Sequence, residues 1–188
     1  MIARRGAWRE SQGGLDAGRL VFLDGPGVNL GMTRLYGWAE KSERVGDYVP
    51  DVRFERTPVI STLRLSGINA PIAFRGTLDG DFFRAYVSQA LAPTLREGDI
   101  VVMDNASPHK VHGALQPIYD RGATVLFLPP YSPDLNPIEM AWSKIKSVLR
   151  ALKARTHEEL LSAMRVAFNS ISAADIQGWF THDGYSCV

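Results

Sequence analysis

With 188 residues, 45% apolar and 22% charged side chains, the chain suits one packed domain, and this balance excludes a disordered polymer. Its formal net charge of +1 excludes a strongly basic nucleic-acid coat, so contact with nucleic acid has to come from local patches. The single cysteine, Cys187, can form no internal disulfide, in keeping with a reducing cytoplasm, and no apolar run reaches the length of a membrane span.

Residues 1–18 are polar and Gly-rich around Trp8 and read as a short helix or a tail and linker; without an apolar core, MIARRGAWRESQGG is no secretory signal. RLVFLDG (19–25) is a buried strand ended by glycine, and DGPGVNLG (24–31) is turn-rich. TRLYGWA (33–39) alternates enough for a strand, and the charged stretch 40–56 with Pro50 is a loop. PVISTLRLSG (58–67) and PIAFRGT (71–77) are strands forming an antiparallel meander with the first. DGDFFRAYVSQALAPTL (79–95) then puts Phe82, Phe83, Tyr86, Val87, Ala90 and Leu91 on one helical face, with Asp79 as cap. DIVVMDN (99–105) is a strand with a polar end, HKVHGALQPIYDRG (109–122) a helix despite Pro117, and TVLFLPP (124–130) a strand stopped by two prolines. The strongest helix is 136–153, capped by Asn136 with Pro137 first. The next, 156–171, opens on a Thr156–Glu159 capping box, and a short helix surrounds Asp175–Phe180. The order predicts an α/β domain over 19–181, a mixed five-stranded sheet with helices on both faces, and a C-terminal tail at 182–188.

Three carboxylates stand at telling places: Asp24 and Asp104 end buried strands, and Glu139 sits in the first turn of the strong helix. Taken singly, each has a plainer explanation: a turn acid, an Asx turn before Asn105, a helix-dipole glutamate. Together, three acids on one spot repel one another unless a cation joins them, and oxygen-only ligands suit Mg²⁺ or Mn²⁺. Storing that repulsion without metal, Asp104→Asn is expected to leave folding intact or to stabilise it.

VVMDNASPHK (101–110) and LPPYSPDLNPIEMAWSKIK (128–146), with GMTRLYGWA (31–39) and LREGDIVVMDN (95–105), strongly resemble the bacterial insertion-sequence branch of the mariner-like transposase superfamily. The resemblance spans roughly residues 19–181. Asp104 and Glu139 stand 35 positions apart, as in that family. It implies an RNase H-like fold and a DDE catalytic domain in which Asp24, Asp104 and Glu139 are both catalytic acids and ligands of two Mg²⁺ or Mn²⁺ ions. It further implies cleavage and strand transfer of DNA, transposon ends and target DNA as partners, a homodimer in the active complex, and a bacterial cytoplasmic, nucleoid-associated location. The family usually has an acid after the first Asp, within D-E-[ST]-G; this chain has Gly25 and Pro26 in DGPG. Full-length relatives carry an N-terminal helix-turn-helix region, and this chain starts too close to the first strand to include it, so weak, salt-sensitive and unselective DNA binding is expected.

His109 and His112 are a surface or capping pair, since no further Cys or His completes a zinc site, with His109 open to a role behind Asp104 or on DNA. Tyr131, Ser132 and Asn136 shape the loop and cap the helix and are candidates for phosphate contacts. Lys110, Lys144, Lys146 and Arg150 are candidates for backbone contacts, Lys144, Lys146 and Arg150 within a basic run that continues to Lys153 and Arg155. Rival readings are an RNase H or resolvase-like nuclease, which lacks the P-P-Y-S-P block; a haloacid dehalogenase-like phosphatase, opposed by Pro26 where a second Asp belongs; and a non-catalytic DNA-binding or oligomerisation remnant.

Overall fold

The computed structural model describes residues 2–48 and 56–187. Part of the loop expected around Pro50, residues 49–55, lies outside the described residues. The chain forms α1 (Ile2–Gln12), β1 (Leu20–Asp24), β2 (Gly27–Val28), β3 (Thr57–Arg64), β4 (Gly67–Ala73), α2 (Gly80–Tyr86), β5 (Ile100–Met103), α3 (Gln116–Tyr119), β6 (Thr124–Phe127), α4 (Pro137–Leu152), α5 (His157–Asn169) and α6 (Ala173–His182).

Because β1 and β3 run antiparallel, as do β3 and β4, the first half is the expected meander; β5 is parallel to β1, and β6 to β5. The two-residue β2 bridges to the start of β3 and makes a sixth strand beside the five expected.

Strand alternation divides the interior in two. Leu20 and Phe22 point into a core shared with Trp142, Ile145, Leu160 and Phe180, whereas Val21 and Leu23 point into one shared with Phe83, Tyr86, Leu91 and Ile118. Both faces of β1 are therefore covered, which is why its sequence is a continuous apolar run rather than an alternating one.

Local chemistry explains where expectation and structure part. TRLYGWA forms no strand; Leu35, Tyr36 and Trp38 are exposed, so the alternation meets no pairing strand among the described residues. The helix expected over 109–122 shrinks to α3, because Gly113 takes φ +75° and Pro117 is tolerated only in a first turn. α2 starts where Asp79 accepts from Phe82 N at 2.8 Å, then widens into a π turn over Val87–Leu91 and tightens at Ala92–Thr94, where Pro93 has no N–H to give. The capping box of α5 forms as expected, and Ser172 with Asp175 makes another on α6. Asn136 holds the cap position of α4, but its side chain makes no capping bond and its Oδ1 is buried without a partner among the described residues.

Of the two readings of residues 1–18, the short helix is the one that forms: α1, Ile2–Gln12, docks through Trp8 on the core rather than trailing as a tail or linker. Within the C-terminal tail expected at 182–188, Tyr185 is 1% exposed and packs edge-on to Phe22 at 5.0 Å. No helix among the described residues is long and apolar enough to cross a membrane.

Candidate active site

Parallel pairing of β1 with β5 aligns Leu20 with Ile100, Val21 with Val101 and Phe22 with Val102, so Asp24 and Asp104 emerge side by side where the two strands end. Glu139 comes from the first turn of α4. All three line one cleft of about 420 Å³, walled by Asn105, Leu128 and the loop Pro129–Pro133, with Asn136 behind Glu139. Ligands of α/β sheets gather at such strand ends because side chains there leave the core from a rigid point.

Two hydrogen bonds build this edge. Asn105 Nδ2 donates to the Leu128 carbonyl at 2.7 Å, tying the end of β5 to that of β6. At the other corner Val59 N donates to the Pro26 carbonyl at 2.9 Å, pinning the DGPG turn to β3. A Cβ on Gly25 would lie 3.3 Å from the Val59 carbonyl and 3.4 Å from Leu78, so the missing acid after Asp24 leaves a close-packed corner rather than a hole.

The acids are not equivalent. Asp24 is half-buried, and burial, then the negative charge of Glu139 and of Asp104, push its pKa up to about 7, against the Gly25 backbone bond and Lys146. Asp104 is held below the usual carboxylate range by a hydrogen bond from His109, by the Ala106 N–H at 2.9 Å and by Lys110. The Ala106 bond is the Asx turn that the Asp-Asn pair suggested, and it coexists with a place in the cleft.

His109 Nδ1 lies 2.9 Å from Asp104 Oδ1 and 3.2 Å from the Asp104 carbonyl; both are acceptors, so Nδ1 carries the proton. The ring is 4% exposed and packs on Phe83 with centroids 4.5 Å apart. His109 is therefore not a surface residue but lies buried against Asp104, while His112 is exposed.

The remaining expected contacts separate by burial and pairing. Tyr131 stands 85% exposed on the cleft rim, in the left-handed region at φ +54°. Lys110 is exposed beside Asp104. Lys146 faces Asp24, and Arg150 lines a groove of about 470 Å³ with Arg34, Tyr36, Ser143 and Ser147. Three others do not present a free surface. Ser132 and Asn136 are buried at 5% and 4% exposure, and Lys144 Nζ donates to Asp175 at 2.6 Å, tying α4 to α6. Sequence reasoning missed Arg34 and Tyr36 in the groove, and Arg5 and Arg9, which reach the cleft loop from α1.

A sequence model of the DDE superfamily endonuclease family matches residues 19–161. The chain belongs to the DDE superfamily endonucleases. No curated protein sequence matches it. Among solved structures it is similar to the Mos1 transposase paired-end complex with left transposon end (13% identity, TM-score 0.75, 97% of this chain and 57% of that one). It is also similar to a pre-cleavage Mos1 transpososome (14%, TM-score 0.73, 99% and 62%). A third likeness is to the catalytic domain of Mos1 mariner transposase (13%, TM-score 0.65, 99% and 93%). At these identities the likeness shows the fold, which is the RNase H-like one expected. The chain spans about three fifths of the length of the first two, 57% and 62%.

Among the described residues no group of three His, Cys, Asp or Glu side chains is placed closely enough to hold a metal ion, so the expected metal cluster is not assembled as such. Asp24 is faced by two negative charges, and Asp104 turns to His109. The donor chemistry nevertheless fits a hard divalent ion: all oxygen, at one cleft, with an acid whose raised pKa a positive charge would relieve.

Proposed function

We propose that this chain is the catalytic domain of a DNA transposase of the mariner-like superfamily, in its bacterial insertion-sequence branch, cutting and rejoining DNA with divalent metal. The observation that carries the reading is the juxtaposition of Asp24 and Asp104 on adjacent parallel strand ends with Glu139 across the same cleft. Asp24, Asp104 and Glu139 would hold Mg²⁺ or Mn²⁺, two ions in the full complement. Bound there, the metal supplies charge neutralisation at the attacking and leaving oxygens of an in-line displacement.

The chain's own groups prepare the site. His109 fixes the Asp104 carboxylate, leaving it ionised and oriented, and Asp24, with its pKa pushed up to about 7, would hold a divalent cation as the carboxylate. Lys146, Arg150 and Arg34 lie on or beside the exposed face of α4 that continues from Glu139, where they hold phosphates in register. In the first step water attacks a phosphodiester, leaving a 3′-hydroxyl and a 5′-phosphate. In the second that 3′-hydroxyl attacks a target phosphodiester and releases a new 3′-hydroxyl. One site serves both because only the nucleophile changes. Transposon ends and target DNA are the partners in this reading, with a homodimer in the active complex and a bacterial cytoplasmic location.

The test is Mn²⁺-dependent cleavage of a DNA duplex by the chain, with Asp104→Asn as control, followed by a strand-transfer assay. Cleavage that Asp104→Asn abolishes supports the reading. Cleavage without strand transfer would point to an RNase H-like nuclease, and no cleavage at all to a non-catalytic remnant.

A further inference from the structure

The loop Tyr131–Asn136 forms one wall of the cleft and leads into α4, which carries Glu139. Much of what holds it comes from segments more than 45 residues away. Arg5 on α1 donates from Nη1 to the Tyr131 carbonyl at 3.2 Å, to Ser132 Oγ at 2.9 Å and to Asp134 Oδ1 at 2.9 Å, and from Nη2 to Asp134 Oδ2 at 2.6 Å. Arg9, one turn on, adds a bond to Asp134 Oδ2 at 3.2 Å. Beyond it Trp8 Nε1 donates to Tyr185 Oη at 3.2 Å, and Tyr185 Oη donates to the Leu135 carbonyl at 2.8 Å. Gln12 closes the series on the Asp183 carbonyl at 2.8 Å.

An isolated exposed ion pair does little for a fold. This one differs in two ways. It is a two-pronged guanidinium–carboxylate contact inside a network, the geometry in which such pairs hold position. It also grips a backbone that needs holding, since Tyr131 is a non-glycine residue at φ +54°, a conformation that persists only where its surroundings impose it.

We propose that Arg5, through Asp134 and the Tyr131–Ser132 backbone, is a positioning residue for the cleft wall and for Glu139, so that α1 is a strut of the catalytic site. The inference rests on the proposed transposase reading for its catalytic consequence and on geometry alone for its structural one. An ångström-scale displacement of a reacting group costs about 100-fold in rate. Releasing the loop therefore lowers the chemical step while Lys146 and Arg150, the basic groups on α4, remain to grip DNA.

The experiment compares wild type, Arg5→Ala, Arg5→Lys, Asp134→Asn and the exchange Arg5→Asp with Asp134→Arg. Hydrogen exchange of the amides of residues 131–136 is read on the free protein, and single-turnover Mn²⁺-dependent cleavage and DNA Kd on the complex. Arg5→Ala and Asp134→Asn are expected to raise exchange at 131–136 and slow cleavage about 10- to 100-fold at unchanged Kd, with the exchanged pair recovering both. Arg5→Lys keeps the charge but loses the fork, so it falls between them and covers the case in which Arg5→Ala does not fold. Unchanged exchange in Arg5→Ala and Asp134→Asn overturns the proposal, as does wild-type cleavage by either. If exchange rises while wild type itself cuts no DNA, the strut stands and the transposase reading fails.

Discussion

Two segments that both look distinctive in the sequence are held in opposite ways. The wall at 131–139 is fastened by Arg5, Arg9 and Tyr185 and feeds straight into α4. Residues 31–48 lie open, with Tyr36, Trp38 and Tyr48 at 89%, 101% and 96% exposure. Their described ties are few, chiefly Arg155 to the Met32 carbonyl at 3.3 Å and Lys153 to Asp47 at 2.6 Å. Among the described residues these exposed aromatic side chains add little to the core, whereas the wall at 131–139 is held by bonds from three other positions.

The largest expected difference between them is in activity. Asp24→Asn or Asp104→Asn removes a proposed metal ligand from the cleft that the fastened wall lines and should lower Mn²⁺-dependent cleavage more than about 1,000-fold, since metal charge stabilisation amounts to several kcal/mol. Trp38→Ala on the open side should change single-turnover cleavage little at saturating DNA. Equal losses in both would erase the distinction.

Stability should follow the same division. Tyr185→Ala is expected to cost about 3–5 kcal/mol by emptying a site next to Phe22 and orphaning the Leu135 carbonyl, against less than about 0.5 kcal/mol for Trp38→Ala, both read by denaturant unfolding.

Asp24 sharpens the comparison through pH. Its folded pKa, about 7, lies above its unfolded one, so between roughly pH 4 and 7 the folded state keeps a proton that the unfolded state has lost. Its contribution to stability is present at pH 4, falls as pH rises, and is gone above 7. Asp24→Asn should therefore stabilise the metal-free protein on the order of 2–3 kcal/mol at pH 8 and hardly at all at pH 4. The stabilisation expected of Asp104→Asn belongs to Asp24 instead. Asp104 is the acid that its surroundings favour ionised, so losing it costs stability above about pH 4, and that cost disappears as pH falls. Thermal melts of both variants across that range decide it.

The smallest effect concerns DNA grip. Arg150→Ala should weaken binding evenly across sequences and reduce the salt slope by about one phosphate contact, whereas Lys144→Ala, already paired to Asp175, should leave the slope unchanged.

The strands that end at Asp24 and Asp104 and the Asn136–Pro137 start of the helix that carries Glu139 were legible because their signals are local. The choice of these three acids came instead from the resemblance of 101–110 and 128–146 to the mariner-like transposases. The burial of His109 was not legible, because it depends on Phe83 from another element. Nor was the Arg5–Asp134 contact, whose partners are 129 residues apart and leave no pattern in either neighbourhood. The strand expected at 33–39 failed for the converse reason: alternation describes a surface and does not supply the neighbour that would pair with it.

The central claim is that Asp24, Asp104 and Glu139 form one divalent-metal site. Calorimetric titration of the DNA-free chain with Mn²⁺ at pH 7, in buffers of different ionisation enthalpy, tests it most directly. The account predicts saturable binding that releases a fraction of a proton from Asp24 and that Asp24→Asn, Asp104→Asn and Glu139→Gln each weaken at least about tenfold. Binding that survives Glu139→Gln unchanged, or no binding by the wild-type chain, would contradict it.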